Sequence, residues 1–249
     1  MAETNKGLIA AILFATLAVT GSLVFLGIQI SNSSSLSETT LAAKINEGIQ
    51  QFVQDQQDAQ KPVLEIDSKL VAPINKNDHI YGDKDAPISL IEYSDFLCPY
   101  CYQFHDTAKQ IVDDSNGQVN WIFRHFPLGS HDPEATMSAI ASECIAEELG
   151  EEPFWTYSKT LFDNRANLSH ENLIALGTNM GANEATLTKC IDNEDHNDKV
   201  QANIKNGIEV GVSGTPGNIL INHENNKAIR VSGAQPIEAF NEVISSLKE

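Results

Sequence analysis

Two cysteines separated by two residues, Cys98 and Cys101 in the segment SDFLCPYCYQFHD, constrain the fold of this chain more than any other feature. The run before them, ISLIEYS at residues 88–94, is rich in β-branched and aromatic side chains and predicts a buried strand. Residues 102–114 carry apolar side chains at helical spacing, and VNWIFRHF at residues 119–126 predicts a second buried strand. The cysteines are therefore expected at the turn from a strand into a helix, inside a β-α-β unit.

The rest of the domain is predicted to be mostly helical. Helical spacing and glycine breaks predict helices over residues 132–149, 153–162, 169–180, 183–191 and 195–209. The runs GNILIN and KAIRVSG, on either side of HENN, predict a β-hairpin, and residues 236–247 predict a closing helix. A mixed α/β fold is expected, in which a block of helices separates the β-α-β unit from the hairpin.

The formal net charge of −18 on 249 residues excludes some classes of partner. Nucleic acids and anionic membrane surfaces both attract Lys and Arg, which are in the minority here. The composition predicts a solvated acidic surface and no nucleic-acid partner. The length allows one large domain or two small ones.

The N-terminal segment predicts the compartment. Residues 7–30 contain no charged side chain, and as a helix they would reach about 36 Å, enough to cross a bilayer core of about 30 Å. The apolar run is long for a cleaved signal, so residues 1–30 are interpreted as a transmembrane signal anchor, with a cleaved signal and a buried core helix as the alternatives. Lys6 is the sole flanking cation before Lys44, which places the N-terminus in the cytoplasm and the rest of the chain in the periplasm or otherwise outside the cytoplasmic membrane.

A connecting region, residues 31–77, is expected between the anchor and the main domain. It opens with the polar linker SNSSSLSETT and continues with apolar residues at helical spacing over residues 41–53. This amphipathic helix, which ends before Pro62, could pack on the domain or form a homodimer with its copy in a second chain. Residues 63–77 show no clear pattern, so the globular domain is expected to span residues 78–249.

A Cys-x-x-Cys pair at the start of a helix has a physical logic as a redox centre. Free backbone N–H groups and the helix dipole favour an anion at Cys98, so its thiol should be the more acidic and more exposed one and act as the nucleophile. Cys101, one turn further in, would resolve the mixed disulfide. Pro99 suits the first turn, and Tyr100 would tune the stability of the thiolate.

Metal binding and a static bridge are the alternatives for this pair. A structural zinc site needs four ligands, whereas the chain has a single Cys-x-x-Cys, and neither Cys144 nor Cys190 is near a histidine in sequence. His105 lies seven residues after Cys98, where it would either modulate the thiolate or be a plain surface residue. The preceding strand favours redox chemistry with no metal and no other cofactor.

A proline near the predicted hairpin is a second candidate feature. GVSGTPGNILIN places Thr215 and Pro216 directly before a predicted strand. Proline beside a central strand indicates a special role, often through a cis peptide bond. An ordinary trans loop proline is the alternative.

Four motifs in this order, IEYSDFLCPYC, FRHFPL, PFWTYSKTLF and GVSGTP, resemble the DsbA-like thiol-disulfide oxidoreductases of the thioredoxin superfamily. The resemblance implies a thioredoxin fold with an inserted α-helical domain at about residues 131–210. It also implies a cis-proline at Pro216 that binds substrate peptide, with Thr215 tuning the redox behaviour. Glu92 matches the family's buried acid, which could move a proton to or from Cys101.

The resemblance implies an extracytoplasmic enzyme that forms, reduces or isomerises disulfides in exported proteins with cysteines. It would need a membrane redox partner, either a quinone-linked oxidase or a transmembrane reductase. Strong oxidants of the family often carry histidine where this chain has Tyr100, and valine where it has Thr215, so the direction of electron flow stays open. A chaperone or binding protein with a vestigial disulfide is the alternative function.

The two isolated cysteines are predicted to form a structural disulfide. Cys144 follows Ile140 by four residues and Cys190 follows Leu187 by three, so both can face the interior of the helical block. An oxidising compartment would close such a pair. Two separate buried thiols are the alternative.

Overall fold

A computed structural model of the chain describes residues 44–50 and 62–249. Residues 44–50 are helical and fall within the predicted amphipathic helix. The predicted anchor, residues 1–30, and the linker that follows it lie outside the described residues, and homodimer formation through residues 41–53 stays a prediction. In the parts of the chain that the structure describes, no helix has the length and apolar character needed to cross a membrane.

Residues 57–249 form a compact unit built on one six-stranded sheet. The strands are β1 (Val63–Ile66), β2 (His79–Tyr81), β3 (Ile88–Ser94), β4 (Val119–His125), β5 (Gly217–Asn222) and β6 (Ala228–Ser232), in the spatial order β1-β6-β5-β3-β4-β2. β3 and β4 are parallel, and the other neighbouring pairs are antiparallel. Every residue of β3 and β4 is buried, which explains why these two strands are the clearest apolar runs in the sequence.

Seven α-helices accompany the sheet in the described part of this unit. They are α1 (Pro99–Asp114), α2 (Glu134–Leu149), α3 (Glu151–Asp163), α4 (His170–Asn179), α5 (Glu184–Asp192), α6 (Asn197–Glu209) and α7 (Ile237–Leu247). α1 joins β3 to β4, so the predicted β-α-β unit is confirmed. α2 to α6 lie between β4 and β5 in the chain, close to the predicted helical insertion, and the predicted hairpin is present as β5 and β6.

The expected start of the globular domain at residue 78 is wrong. β1 pairs with β6 along one edge of the sheet, with Val63 opposite Val231, so the sheet already includes residues 63–66. β1 has four residues and β2 has three, which are too few to show the alternation that identifies a strand in sequence. Both strands are edge strands that tertiary pairing fixes in place.

Buried polar contacts hold the segment between β1 and β2 against the sheet. Arg124 on β4 donates from Nε to Asp78 Oδ1 over 3.0 Å and from Nη2 to the carbonyl of Ala72 over 3.0 Å. Asn206 on α6 donates to the carbonyl of Leu70 over 2.8 Å. The segment is therefore an integral part of the domain.

A buried carboxylate joins the helical block to the sheet. Glu143 on α2 contacts His125 Nε2 on β4 at 2.8 Å, His79 Nε2 on β2 at 3.1 Å and Lys199 Nζ on α6 at 2.7 Å. Burial opposes ionisation of Glu143, but the hydrogen bonds from His125 and His79 hold its pKa well below the ordinary value. The ionised carboxylate can thus bind four elements together.

The predicted disulfide between Cys144 and Cys190 is confirmed. It joins α2 to α5 across 46 residues of sequence, with the two Cα atoms 6.1 Å apart. Both residues are buried, in agreement with the inward-facing positions that helical spacing predicted.

Candidate active site

Cys98 and Cys101 lie at the start of α1, where β3 ends. Cys98 is the N-cap residue in an extended conformation, and Pro99 occupies the first turn. Both cysteines are free thiols, and they are 3% and 0% exposed, whereas Tyr100 between them is 61% exposed. The difference in exposure has the predicted direction, although the first thiol is far more enclosed than expected.

The surroundings of Cys98 favour its thiolate. The pKa of Cys98 is lowered to about 5, chiefly because the Cys101 thiol donates a hydrogen bond to it. Burial works in the opposite direction, while the Thr215 side chain and the backbone N–H groups of Cys101 and Tyr100 lower the pKa further. Cys98 is therefore a thiolate at neutral pH, which makes it both a nucleophile and a good leaving group.

Cys101 has the opposite character. Burial, the hydrogen bond that it gives to Cys98 and the charge of Glu92 raise the pKa of Cys101 well above its ordinary value. Of the two thiols, Cys101 therefore holds its proton. This division of roles matches the attacking and resolving cysteines of the sequence prediction.

Glu92 on β3 is a fully buried acid next to this pair. Burial raises the pKa of Glu92 to about 8, against a hydrogen bond from Ser94, whose Oγ donates to Glu92 Oε1 over 2.7 Å. Glu92 Oε2 has no hydrogen-bond partner among the residues that the structure describes. Since Glu92 can carry a proton at neutral pH and its charge reaches Cys101, it is placed to exchange a proton with that thiol.

The loop before β5 completes the site. The Thr215–Pro216 peptide bond is cis, so the interpretation of Pro216 as an ordinary trans loop proline is wrong. β5 pairs with β3, with Gly217 opposite Tyr93, which brings this loop beside the cysteines. In the thiol form, Cys98 Sγ donates to the carbonyl oxygen of Thr215 over 3.4 Å.

An open cavity lies beside the same loop. Its volume is about 220 Å³, and its walls are residues 212–217 together with Arg230, Ser232 and Gly233. It offers space for a short stretch of peptide next to Pro216.

His105 is not the surface residue that one of the two sequence interpretations expected. It is 6% exposed and packs edge-on against Trp121, with ring centroids 5.0 Å apart, and against Phe162 at 5.2 Å. Burial lowers the pKa of His105 to about 4. The ring is therefore neutral at pH 7 and brings no positive charge to the thiolate of Cys98.

The sequence analysis missed Asp95, a buried acid three residues before Cys98. Asp95 Oδ1 accepts from the Leu97 N–H over 2.8 Å, and Oδ2 accepts from the Leu128 N–H over 2.9 Å and contacts His131 Nδ1 at 2.8 Å. These bonds fix the turn that presents Cys98. Aspartate at the end of a strand is a common turn residue, and that signal could have identified it.

The structure brings one further set of chemically active side chains together. Cys144, Cys190 and His196 form the sole cluster of at least three potential metal ligands within residues 44–50 and 62–249. His196 follows Cys190 by only six residues, a spacing that the sequence analysis did not use, and the fold brings both of them next to Cys144.

Comparison with known proteins supports the fold. A thioredoxin family model matches residues 74–245, more than half of the chain. The structure is similar to DsbA2 of Pseudomonas aeruginosa, with a TM-score of 0.61 and 24% identity over 71% of this chain and 97% of that one. It is also similar to oxidised BdbD of Bacillus subtilis, with a TM-score of 0.59 and 21% identity over 72% and 97% of the two chains.

Curated relatives match over a smaller part of their length. They include the Na⁺/H⁺ antiporter NhaA 3 of Salinispora tropica, 33% identical over 106 residues, or 42% of this chain and 16% of the antiporter. NhaA 1 of Salinispora arenicola is 24% identical over 178 residues, or 71% of this chain and 26% of the antiporter. This chain spans no more than 26% of the length of these two antiporters. Most of each antiporter therefore lies outside the matched region. The family match over residues 74–245, the cysteine pair at the start of α1 and the shared fold lead to one conclusion: this chain belongs to the thioredoxin family.

Proposed function

We propose that this protein is a thiol-disulfide oxidoreductase that forms disulfides in exported proteins. The observation that carries the proposal is the pair of free thiols at the start of α1, where Cys98 is the N-cap residue and Cys101 lies within the first turn. The opposite pKa shifts of the two thiols support it, since a thiolate beside a protonated thiol is the arrangement that thiol-disulfide exchange requires. The fold of the DsbA and BdbD structures supports it.

The reaction starts from the Cys98–Cys101 disulfide. A substrate thiolate attacks Cys98 Sγ, and the bond to Cys101 breaks. Cys101 leaves as a thiolate and takes a proton from Glu92, whose raised pKa keeps that proton available at neutral pH. The second substrate thiol loses its proton to solvent, and the resulting thiolate attacks the substrate sulfur of the mixed disulfide. A disulfide forms within the substrate, the bond to Cys98 breaks, and Cys98 leaves as a thiolate.

Two electrons pass from the substrate to the active-site pair in this cycle, and the substrate gains one disulfide. The low pKa of Cys98 supports the direction of oxidation, because it stabilises the reduced enzyme and makes Cys98 the better leaving group. Regeneration passes the two electrons on to a membrane redox partner, for which a quinone-linked oxidase is the fitting class, and closes the Cys98–Cys101 disulfide again.

Substrate peptide would lie along the loop at Thr215 and Pro216. Two features support this: the cavity beside the loop, and the contact of 3.4 Å between Cys98 Sγ and the Thr215 carbonyl oxygen, which shows that the loop is close to the attacked sulfur. Tyr100, which projects into solvent between the cysteines, would contact the same substrate.

We propose an extracytoplasmic location, with residues 1–30 as the membrane anchor. The uncharged run at residues 7–30 supports the anchor, and the closed Cys144–Cys190 disulfide suits an oxidising compartment. Mass spectrometry of protein extracted from membranes should find residues 7–30 retained, whereas a mature N-terminus near residue 31 would show a cleaved signal.

Catalysed oxidation of a reduced, unfolded model protein tests the function. The wild-type chain should speed disulfide formation and Cys98→Ala should not. If Cys98→Ala still suppresses aggregation while catalysis is absent from both chains, the chaperone alternative is correct. The reduction potential of the pair tests the direction: a value near about −120 mV supports oxidation, and one near about −270 mV supports reduction.

A further inference from the structure

The Cys144–Cys190 disulfide lies beside a histidine and a carboxylate that the proposed redox cycle does not use. A ring nitrogen of His196, at the N-terminus of α6, lies within 4.8 Å of both sulfur atoms. Nε2 of His196 contacts Glu147 Oε2 at 3.0 Å. Glu147 follows Cys144 by three residues on α2 and therefore shares its helix face. Two cysteines, one histidine and one carboxylate thus converge from α2, α5 and the start of α6.

This set has the composition and size of a tetrahedral zinc site. Zinc binds Cys sulfur at about 2.3 Å, His nitrogen at about 2.0–2.1 Å and carboxylate oxygen at about 2.0–2.2 Å, so neighbouring ligand atoms lie about 3.3–3.8 Å apart. The Cα atoms of Cys144 and Cys190 are 6.1 Å apart. Once the disulfide is reduced, rotation of the two side chains is enough to move the sulfur atoms to a separation of about 3.8 Å. The backbone can therefore stay in place.

The surroundings admit a cation. The disulfide forms part of the wall of an open cavity of about 610 Å³, which Glu147, Glu148 and Asp195 also line. Lys189 is the cationic residue of that lining. The side chains of His196 and Glu147 are 23% and 68% exposed, so both can turn toward an ion that enters from solvent.

We propose that reduction of the Cys144–Cys190 disulfide creates a Zn²⁺ site formed by Cys144, Cys190, His196 and Glu147. A dithiol reductant supplies two electrons and two protons and becomes a disulfide itself, while the two cysteines become thiols. Zn²⁺ then displaces the two thiol protons, and Glu147 supplies a carboxylate oxygen. The ion cross-links α2 to α5 in place of the disulfide, so the helical block keeps its shape in both redox states.

Zinc titration of the reduced chain tests this proposal. The Cys98→Ser/Cys101→Ser variant leaves Cys144 and Cys190 as the sole cysteines, so the result does not depend on the proposed oxidoreductase activity. After reduction by a water-soluble trialkylphosphine, this variant should take one Zn²⁺ per chain from a chromogenic chelator. Co²⁺ should give thiolate-to-metal absorption, and the oxidised variant should bind neither ion.

A matched pair of histidine variants tests the ligand set. His196→Ala should weaken zinc binding by at least about tenfold. His170→Ala should leave it unchanged, because His170 forms a similar pair with Asp192, at 2.8 Å, within the same helical block and is absent from the ligand cluster. Equal binding by His196→Ala and His170→Ala overturns the proposal, as does equal binding by the oxidised and reduced forms. Circular dichroism supplies the last check, because the reduced chain should bind zinc while it is folded. If zinc binds only after the helical signal of the chain is lost, the proposal is also overturned.

Discussion

The two cysteine pairs of this domain use the same functional group for opposite purposes. Cys98 and Cys101 lie in one turn of helix at the end of a strand and are free thiols. Cys144 and Cys190 lie 46 residues apart and join two helices. The comparison teaches that the surroundings of a cysteine pair decide its role. A pair that lies next to helix N–H groups and a buried acid exchanges disulfides, whereas a pair without them forms a structural cross-link.

The surroundings of each pair give the physical reason. N–H groups of the first turn of α1 and the Cys101 thiol all point at Cys98, and Glu92 supplies a proton reservoir behind it. The second pair closes a long loop in the helical block and restricts the unfolded chain. The first pair is thus built for exchange and the second for stability.

Loss of Cys98 should have the largest effect on activity. Cys98→Ser should lower catalysed disulfide exchange by more than about 100-fold, because a serine hydroxyl is not ionised at neutral pH. The Cys144→Ser/Cys190→Ser variant, assayed under conditions where it stays folded, should keep most of the activity. Comparable losses in the two variants would contradict the division of roles between the pairs.

Loss of the second pair should have the largest effect on stability. Opening a loop of 46 residues should lower the free energy of unfolding by up to about 4 kcal/mol in the loop-entropy model. Urea unfolding of the Cys144→Ser/Cys190→Ser variant measures this loss. A Cys98→Ser/Cys101→Ser chain is the control, and it should lose much less, because Cys98 and Cys101 are free thiols and, when oxidised, would close a loop of only one helical turn.

The buried acid should impose a pH dependence on stability. The pKa of Glu92 is about 8 in the folded protein against about 4.5 for a free carboxyl group. The folded state therefore keeps a proton that the unfolded chain releases, and its stabilisation is complete below about pH 4.5 and is lost as the pH rises to about 8. Glu92→Gln should remove this dependence and stabilise the fold by about 3 kcal/mol at pH 7.

Unfolding of a Cys98→Ala/Cys101→Ala chain with and without Glu92→Gln, between pH 4 and 9, measures that difference. This background removes changes in redox state and retains burial, which is the main cause of the shift. A constant difference between the two chains across this range would show that folding leaves the pKa of Glu92 unchanged, and would contradict the raised value.

The smallest of these effects concerns the loop before β5. Thr215→Val should raise the pKa of Cys98, because the Thr215 side chain lowers it. Cys101→Ala should raise the pKa of Cys98 by more than Thr215→Val does, since the hydrogen bond from the Cys101 thiol is the largest single cause of the lowered pKa. Titration of the ultraviolet absorbance of the thiolate compares the two variants, and the reverse order would show that the loop rather than the helix controls Cys98.

The sequence predicted the parts of this domain in which local pattern and tertiary structure agree. β3, β4 and the two hairpin strands are short runs rich in aliphatic and aromatic side chains, and the cysteine pair, Glu92 and Pro216 lie within or next to these runs in the chain. The disulfide followed from helical spacing. The strands and helices depend on residues that are close together in the chain, and helical spacing showed that Cys144 and Cys190, although 46 residues apart, can both face inward.

Several other contacts between distant residues escaped prediction. β1 pairs with a strand more than 160 residues away, His79 meets Glu143 across 64 residues, and burial of His105 depends on Phe162 from another helix. No local pattern marks any of these, because each is decided by which elements pack together.

The most direct test of the account is the pH dependence of alkylation at each active-site cysteine. The dithiol-reduced wild-type chain is treated with iodoacetamide across a range of pH, and peptide mass spectrometry assigns the label to each site. Cys98 should react with a midpoint near pH 5, while Cys101 should stay unlabelled until far higher pH. A midpoint for Cys98 at the free value of about 8.5, or faster labelling of Cys101 than of Cys98, would contradict the claim that the start of α1 makes this pair reactive.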